Sequence, residues 1–185
     1  MADGEIYLKN QSTLKQTSHD STNNEYMVED ETIPVYNYDA VTSAYTSREK
    51  LQRTPCSNDA LYVDEKHIIF IEFKNGSVDQ KQLMQKAYDS LLVLFDHDMG
   101  LEWCRSDFCG NISFSRKNIE FILVWENHDN NPETAIRSGI GNHIRKKGKF
   151  GLNILNGYLY KNTRVMSKME FQHEFIDWVK SCNEV

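Results

Sequence analysis

Three polar side chains stand at positions of a predicted β-hairpin where apolar ones are expected. Asp59 precedes one short β-rich run, and Glu72 and Lys74 close the next. Glu72 and Lys74 are two residues apart on a predicted strand, so their side chains point to the same face. Two carboxylates and a lysine that converge on one face can bind a divalent metal ion and activate a water molecule. This set is the strongest chemical signal in the sequence.

The length of the hairpin turn decides whether Asp59 joins the other two side chains. With a two-residue loop at 65–66, Asp64 pairs with His67, and the register runs back to pair Asp59 with Glu72. Directly opposed residues share a face of the sheet. A three-residue turn slips the register by one residue and directs Asp59 to the other face unless a bulge corrects it. The predicted cluster therefore depends on a two-residue loop.

These residues also stand in a recognisable order. The pattern consists of Asn58-Asp59, twelve intervening residues, Glu72-Phe73-Lys74, and then a predicted helix that carries Lys81, Gln82 and Gln85. It resembles the PD-(D/E)XK nuclease superfamily, also called restriction-endonuclease-like. Asp59 matches the first acidic residue of the family pattern, Glu72 the second and Lys74 the lysine. The sequence departs from the pattern at Asn58, where the family has proline.

The resemblance implies an α/β fold with an αβββαβ core, in which helices flank a mixed central sheet. It also implies cleavage of nucleic-acid phosphodiester bonds, DNA or RNA, with Mg²⁺ or Mn²⁺. The expected metal ligands are Asp59, Glu72 and the backbone carbonyl of Phe73. Lys74 is the expected catalytic lysine, which orients the nucleophile or stabilises charge in the transition state.

Further site residues are expected from the same resemblance and from the distribution of basic side chains. Some members carry another carboxylate on a preceding helix, for which Glu49 is the candidate, and a Gln or Lys on the following helix. The candidates on the following helix are Gln85 and Lys81. A basic segment that can contact phosphate groups contains Arg145, Lys146, Lys147 and Lys149. A solvated charged loop is an equally good interpretation of that segment.

Length and composition predict one globular domain. The chain has 185 residues, of which 39% are hydrophobic and 26% charged. Residues up to about 25 are polar, which predicts a mobile or loosely packed segment. The sequence has no apolar run long enough to span a bilayer and no secretory signal, so we expect a cytoplasmic protein with no membrane contact. The four cysteines are then expected to be reduced thiols.

Two observations favour a different function. The net charge is −6, whereas nucleic-acid-binding proteins are more often basic. Glu-x-Lys on a strand is also common as a solvent-facing ion pair, and Asp59 is in a position to begin a strand or cap a turn. The alternative is therefore a catalytically inactive nuclease-like fold that binds a protein or nucleic acid, as an immunity, inhibitor or regulatory protein. A homodimer is also possible on this interpretation.

The pattern of apolar residues predicts the elements that position this set. Helices are predicted over 39–52, with Asp39 as N-cap, over 79–95, from Pro132 onward, and over 169–179. The hairpin is predicted over 59–74. The run Ile119–Trp125 predicts a central strand that is covered on both faces, and residues 157–160 predict a short edge strand. The strand at 119–125 can return parallel to the Glu72 strand by a right-handed crossover.

Overall fold

The computed structural model describes residues 5–96, 107–126 and 149–183. It shows an α/β fold in which helices flank a mixed six-stranded sheet. The strands of this sheet, in the order in which they lie side by side, are β1 (Gln11–Thr13), β4 (Pro34–Asn37), β5 (Ala60–Val63), β6 (Ile68–Asn75), β7 (Ile119–Glu126) and β8 (Asn162–Met166). Two short strands, β2 (His19–Asp20) and β3 (Glu25–Tyr26), form a separate antiparallel hairpin.

The helices match three of the four predicted segments. They are α1 (Glu5–Lys9), α2 (Leu14–Thr17), α3 (Tyr38–Glu49), α4 (Gln80–Asp96), α5 (Ile112–Asn118), α6 (Lys168–Phe171) and α7 (Asp177–Asn183). A 3₁₀ helix covers Lys149–Leu155, and one π-helical turn, Gln172–Ile176, joins α6 to α7. The helix predicted from Pro132 lies outside the described residues. No helix in the described part of the chain is long and apolar enough to cross a membrane.

The edge strand predicted at 157–160 was wrong. The chain turns there, with Gly157 at a φ of 66°, and the edge strand β8 follows two residues later. Buried Leu159 and Tyr160 produced the apolar pattern, but they pack into the core from the turn. A short apolar run does not distinguish a strand from such a turn.

The predicted hairpin register is confirmed. Strands β5 and β6 are antiparallel, and their pairs run from Val63↔Ile68 to Ala60↔Ile71. The Asp64 N–H donates to the His67 carbonyl at 3.0 Å, which closes the two-residue loop. One further step in this register places Asp59 opposite Glu72.

The central strand is also as predicted. Strand β7 runs parallel to β6 along its whole length, from Ile68↔Ile119 to Asn75↔Glu126, and α4 lies in the connection between them. Phe121 and Ile122 are both fully buried and belong to two different cores, so both faces of β7 are covered.

The two faces of the sheet are packed against different helices. On one face, Phe70 packs with Leu83 and Leu91 of α4. On the other, Phe73 packs with Phe171, whose ring centroid lies 5.9 Å away. The residues of β6 therefore alternate between the two cores, and Glu72 lies on the α4 side with Phe70.

The N-terminal segment differs from the prediction. Leu14 is fully buried in the second core and Ser18 is 2% exposed, so residues 14–18 are packed, whereas residues 21–25 are exposed. The order of elements also differs from an αβββαβ core. Four neighbouring strands of the sheet, β1, β4, β5 and β6, precede α4, and α3 lies between β4 and β5.

Candidate active site

A cleft of about 510 Å³ opens where β6 ends. One wall is formed by Asp59 and by the last residues of β6, and the first turn of α3 contributes Asp39. The N-terminal segment, from α2 through the β2–β3 hairpin, contributes much of the remaining lining. Residues from these parts that line the cleft include Asn37, Phe73, Lys74, Asn75, Ser77, Gln16, Ser18, His19, Asp20 and Asn23.

Asp59 is held across the hairpin. Its Oδ2 accepts a hydrogen bond from the backbone N–H of Phe73 at 2.6 Å, and its backbone carbonyl accepts from the N–H of Tyr38 at 3.1 Å. The first bond fixes the carboxylate against β6, and the second joins it to the start of α3. The side chain remains 19% exposed, so one edge of the carboxylate faces the cleft.

Glu72 and Lys74 meet Asp59 at the inner end of this cleft. The Lys74 Nζ lies 3.1 Å from Glu72 Oε1. The side chain of Glu72 is 0% exposed, whereas that of Lys74 is 27% exposed and lines the cleft. A solvent-facing ion pair therefore does not describe this Glu-x-Lys pair. Asp59 and Lys74 reach the cleft, and Glu72 lies beneath its surface.

A second lysine, Lys86 of α4, joins the two carboxylates. Its Nζ donates to Glu72 Oε1 at 2.7 Å, to Glu72 Oε2 at 2.9 Å and to Asp59 Oδ1 at 3.2 Å. The side chain is 12% exposed. The Lys86 ammonium thus bridges both acidic residues, and the position between the two carboxylates accommodates a positive charge.

Lys86 was missed in the sequence, although the sequence carries a signal for it. It follows Leu83 by three residues and precedes Ser90 by four, and both are buried, so Lys86 lies on the buried face of α4. Buried tyrosines fix this part of the helix, because the hydroxyls of Tyr160 and Tyr38 donate to the carbonyls of Ala87 and Ser90 at 2.6 and 3.0 Å.

Burial and mutual charge shift the pKa values of this group. Burial, with the Asp59 charge adding to it, raises the pKa of Glu72 to about 8 against the opposing effect of the two lysines. Burial also raises the pKa of Asp59, although Lys86 and the Phe73 N–H favour its charged form. For Lys86, burial acts to lower the pKa, but the charges of Asp59 and Glu72 outweigh it, so its pKa is raised and the ammonium stays protonated.

The carboxylate that α3 contributes to the cleft is Asp39, not Glu49. Glu49 lies in the last turn and pairs with Arg48 at 2.7 Å, about 15 Å along the helix from Asp39 at 1.5 Å per residue. The predicted N-cap was also wrong. Asn37 caps α3 by accepting from the Ala40 N–H at 3.0 Å. Asp39 is therefore released from capping and accepts from the Ser57 hydroxyl at 2.5 Å.

The remaining predicted site residues are not brought to the cleft. Gln85 is exposed and its amide donates to Asp89 at 3.3 Å, and Lys81 is exposed in the first turn of α4. Neither lines the cleft. Lys149 begins the 3₁₀ helix, and Arg145, Lys146 and Lys147 lie outside the described residues.

The donor set for a metal ion is small. No group of three or more His, Cys, Asp or Glu side chains that could hold a metal occurs within residues 5–96, 107–126 and 149–183. Asp59 and Glu72 are a pair of carboxylates that already share one cation, the Lys86 ammonium. Among the described cysteines, Cys56, Cys109 and Cys182 are free thiols, as expected.

No family model, no curated protein and no solved structure matches this chain.

Proposed function

We propose that this protein is a metal-dependent nuclease of the restriction-endonuclease-like type, which hydrolyses nucleic-acid phosphodiester bonds with Mg²⁺ or Mn²⁺. The observation that carries the proposal is the position between Asp59 and Glu72 that the Lys86 ammonium occupies. Its Nζ lies within 3.2 Å of both carboxylates. Asp59 and Glu72 come from the β5–β6 hairpin and Lys86 comes from α4. Asp59 of this group lines the cleft.

The two carboxylates fit the requirements of such an ion. Mg²⁺ takes oxygen ligands and keeps several waters, so a pair of carboxylates together with substrate oxygens is a sufficient protein contribution. Asp59 and Glu72 would hold the ion, with the Phe73 carbonyl as the third protein ligand. Bound there, it would lower the pKa of a water molecule and stabilise negative charge on the phosphate. Since Lys86 bridges both carboxylates, its ammonium must move aside when they take a metal.

The position of Lys74 supports a role in contact with the substrate. Its Nζ contacts the carboxylate beneath the surface while part of its side chain is exposed in the cleft. An ammonium at that boundary can orient the attacking water or stabilise the charge that develops on the phosphate. Burial of Glu72 strengthens such electrostatic contacts, because water is excluded from one side of the group.

A second candidate is a nuclease-like fold that binds a protein or nucleic acid without cutting. The specific observation in its favour is that lysine amines already contact both oxygens of Glu72, which is fully buried. In this case Lys86 replaces the metal permanently and the group serves to hold the hairpin to α4. The net charge of −6 points in the same direction.

One assay separates the two candidates. The protein is incubated with plasmid DNA and with single-stranded RNA, in Mn²⁺ and in EDTA. The enzyme cuts only with metal, and Lys74→Ala and Glu72→Gln each reduce the rate by about 100-fold or more, whereas exposed Lys117→Ala of α5 leaves it unchanged. If folded protein cuts neither substrate and shows no thermal shift with Mn²⁺, the binding protein is supported and the nuclease is rejected.

A further inference from the structure

Part of the lining of the cleft, besides Asp59 and Lys74, comes from the β2–β3 hairpin. His19 of β2 is exposed and lines the cleft together with Asp59 and Lys74. Aromatic side chains, histidine included, are the groups on which proteins stack unpaired bases. The hairpin therefore offers a stacking surface beside the candidate reaction site.

The ring of His19 is held in place from two sides. Tyr26 is its partner in the strand pair, and the two ring centroids are 4.8 Å apart at an angle of 43°. The Nε2 atom lies 3.3 Å from Asn24 Oδ1 on the same hairpin. These contacts restrict the ring before any ligand arrives, which lowers the entropy cost of stacking a base on it.

The hairpin itself is anchored to the fold. Ser18 is 2% exposed, and its hydroxyl accepts from the Val28 N–H at 3.0 Å and donates to the Lys15 carbonyl at 2.9 Å. Within the turn, Asp20 accepts from the Thr22 N–H at 2.9 Å and from the Asn23 amide at 2.7 Å. Hydrogen bonds thus hold the β2–β3 hairpin both where it leaves the fold, at Ser18, and in its turn, at Asp20.

The cleft has few basic side chains for phosphates and many polar groups that can contact bases. Of the described residues that line it, Lys74 is the one lysine or arginine, against the three carboxylates of Asp20, Asp39 and Asp59. The other side chains of the hairpin wall are mainly hydroxyls and amides. Duplex binding depends on several Lys or Arg contacts to the phosphate backbone. Single-strand binders also use basic groups along the backbone, but part of their affinity comes from bases that stack on rings and from hydrogen bonds to base edges, and this cleft carries groups for both contacts.

We propose that the cleft binds single-stranded nucleic acid, with one base stacked on His19 and its edge facing the polar side chains of the hairpin. This inference rests on the proposed nuclease function for the position of the phosphate, which would lie at Asp59 and Lys74. It assigns the β2–β3 hairpin as the element that selects the substrate. The exposed face of His19 is the contact that distinguishes an unpaired strand from a duplex.

The test is a binding titration of the full chain. A fluorescently labelled single-stranded oligonucleotide and the matching duplex are compared by anisotropy with Ca²⁺ as the metal. We expect the single strand to bind at least about 10-fold more tightly than the duplex, and His19→Ala to weaken its binding by about 10-fold. His19→Phe, which keeps a ring, should bind within about 2-fold of the wild type.

Matched controls keep the result interpretable. Tyr158→Ala removes an aromatic ring that is 58% exposed and does not line the cleft, and it should leave binding unchanged. Circular dichroism and melting temperature show whether each variant is folded. The inference is overturned if the duplex binds as tightly as the single strand, or if folded His19→Ala binds like the wild type. It is also overturned if His19→Phe is as weak as His19→Ala, because the ring face would then not be the contact.

The outcome also distinguishes this inference from the proposed function. Tight single-strand binding that depends on His19, without metal-dependent cutting, supports the inference and rejects the nuclease. Metal-dependent cutting of duplex and single strand at equal rates, unchanged in His19→Ala, supports the nuclease and rejects the inference.

Discussion

Two carboxylates with little exposed side chain are stabilised by different sets of donors. The side chain of Asp30, which ties the N-terminal segment to the C-terminal helix, is 7% exposed, and that of Glu72 in the candidate site is 0% exposed. Asp30 Oδ1 accepts from the backbone N–H groups of Thr32 and Ile33 at 2.9 and 3.0 Å, and Oδ2 lies 2.5 Å from the Lys180 Nζ. Glu72 is contacted by side-chain ammonium groups on both of its oxygens.

The pKa values record this difference. Burial acts to raise the pKa of Asp30, but Lys180 and the backbone donors outweigh it, so the pKa is lower than usual. At Glu72 burial prevails over the lysines and the pKa is raised. Backbone N–H groups are fixed by the fold and cannot leave their acceptor, whereas a lysine side chain can rotate away. We infer that Asp30 serves the fold, whereas at Glu72, which is contacted by lysine ammonium groups on both oxygens, the cation can be exchanged.

Removal of Lys86 should give the largest effect on stability. Lys86→Met leaves the buried carboxylate of Glu72 and its neighbour Asp59 without the bridging ammonium, which should cost about 3–5 kcal/mol of the free energy of unfolding. Urea denaturation measures it. Exposed Lys81→Met, on the same helix, should change this free energy by no more than about 0.5 kcal/mol.

A second substitution shows whether the loss comes from uncompensated charge. Glu72→Gln added to Lys86→Met should recover part of the lost stability, because it removes the buried ionisable group. If the double variant is less stable than Lys86→Met by the full cost of a further independent substitution, the two residues are not coupled and the contrast with Asp30 fails.

The two acidic residues of α3 should differ in their effect on cleavage. Asp39 lies at the cleft and its charge acts on Asp59, so under the proposed function Asp39→Asn should lower the metal-dependent rate by about 10- to 100-fold, as expected for a residue beside a proposed metal ligand. Glu49→Gln should leave the rate unchanged. Initial rates at saturating Mn²⁺ provide the comparison, and equal effects of the two substitutions would remove Asp39 from the site.

A milder loss is expected at Asp30. Asp30→Asn keeps an oxygen that accepts from Thr32 and Ile33 and loses the ion pair with Lys180, whose side chain is 45% exposed. Because solvent screens that ion pair, the cost in free energy of unfolding at neutral pH should be about 0.5–1 kcal/mol. Cleavage should not change, since Asp30 does not line the cleft.

The difference in stability between the wild type and Asp30→Asn should depend on pH in a definite direction. The folded pKa of Asp30 is lowered, so its contribution to stability is fully present above the ordinary value of 3.8 and is lost as the pH falls through the folded pKa. The stability advantage of the wild type over Asp30→Asn should therefore shrink on acidification below 3.8. Urea denaturation of both proteins across this range checks it, and a constant difference would show that Asp30 is not stabilised in its charged form.

Local rules predicted the central part of the fold and the side chains of the hairpin. The two-residue loop sets the register, and the alternation of side chains along a strand then places Asp59, Glu72 and Lys74 together. The helix α4 and the strand β7 could be predicted because their apolar patterns also depend only on residues that are close in the chain. The packing of the N-terminal segment could not be predicted in this way, because Leu14 becomes buried only when the second core assembles around it.

The sequence by itself determined which face of the sheet carries the acidic pair, because strand geometry depends only on residues that are close in the chain. Only the tertiary structure decided what those carboxylates contact. Lys86 reaches them because Tyr38 and Tyr160, far away in sequence, fix the orientation of α4 over β6. Asp39 rather than Glu49 faces the cleft because the start of α3 is bonded to Asp59. Such contacts depend on how whole elements pack, and no local pattern encodes that.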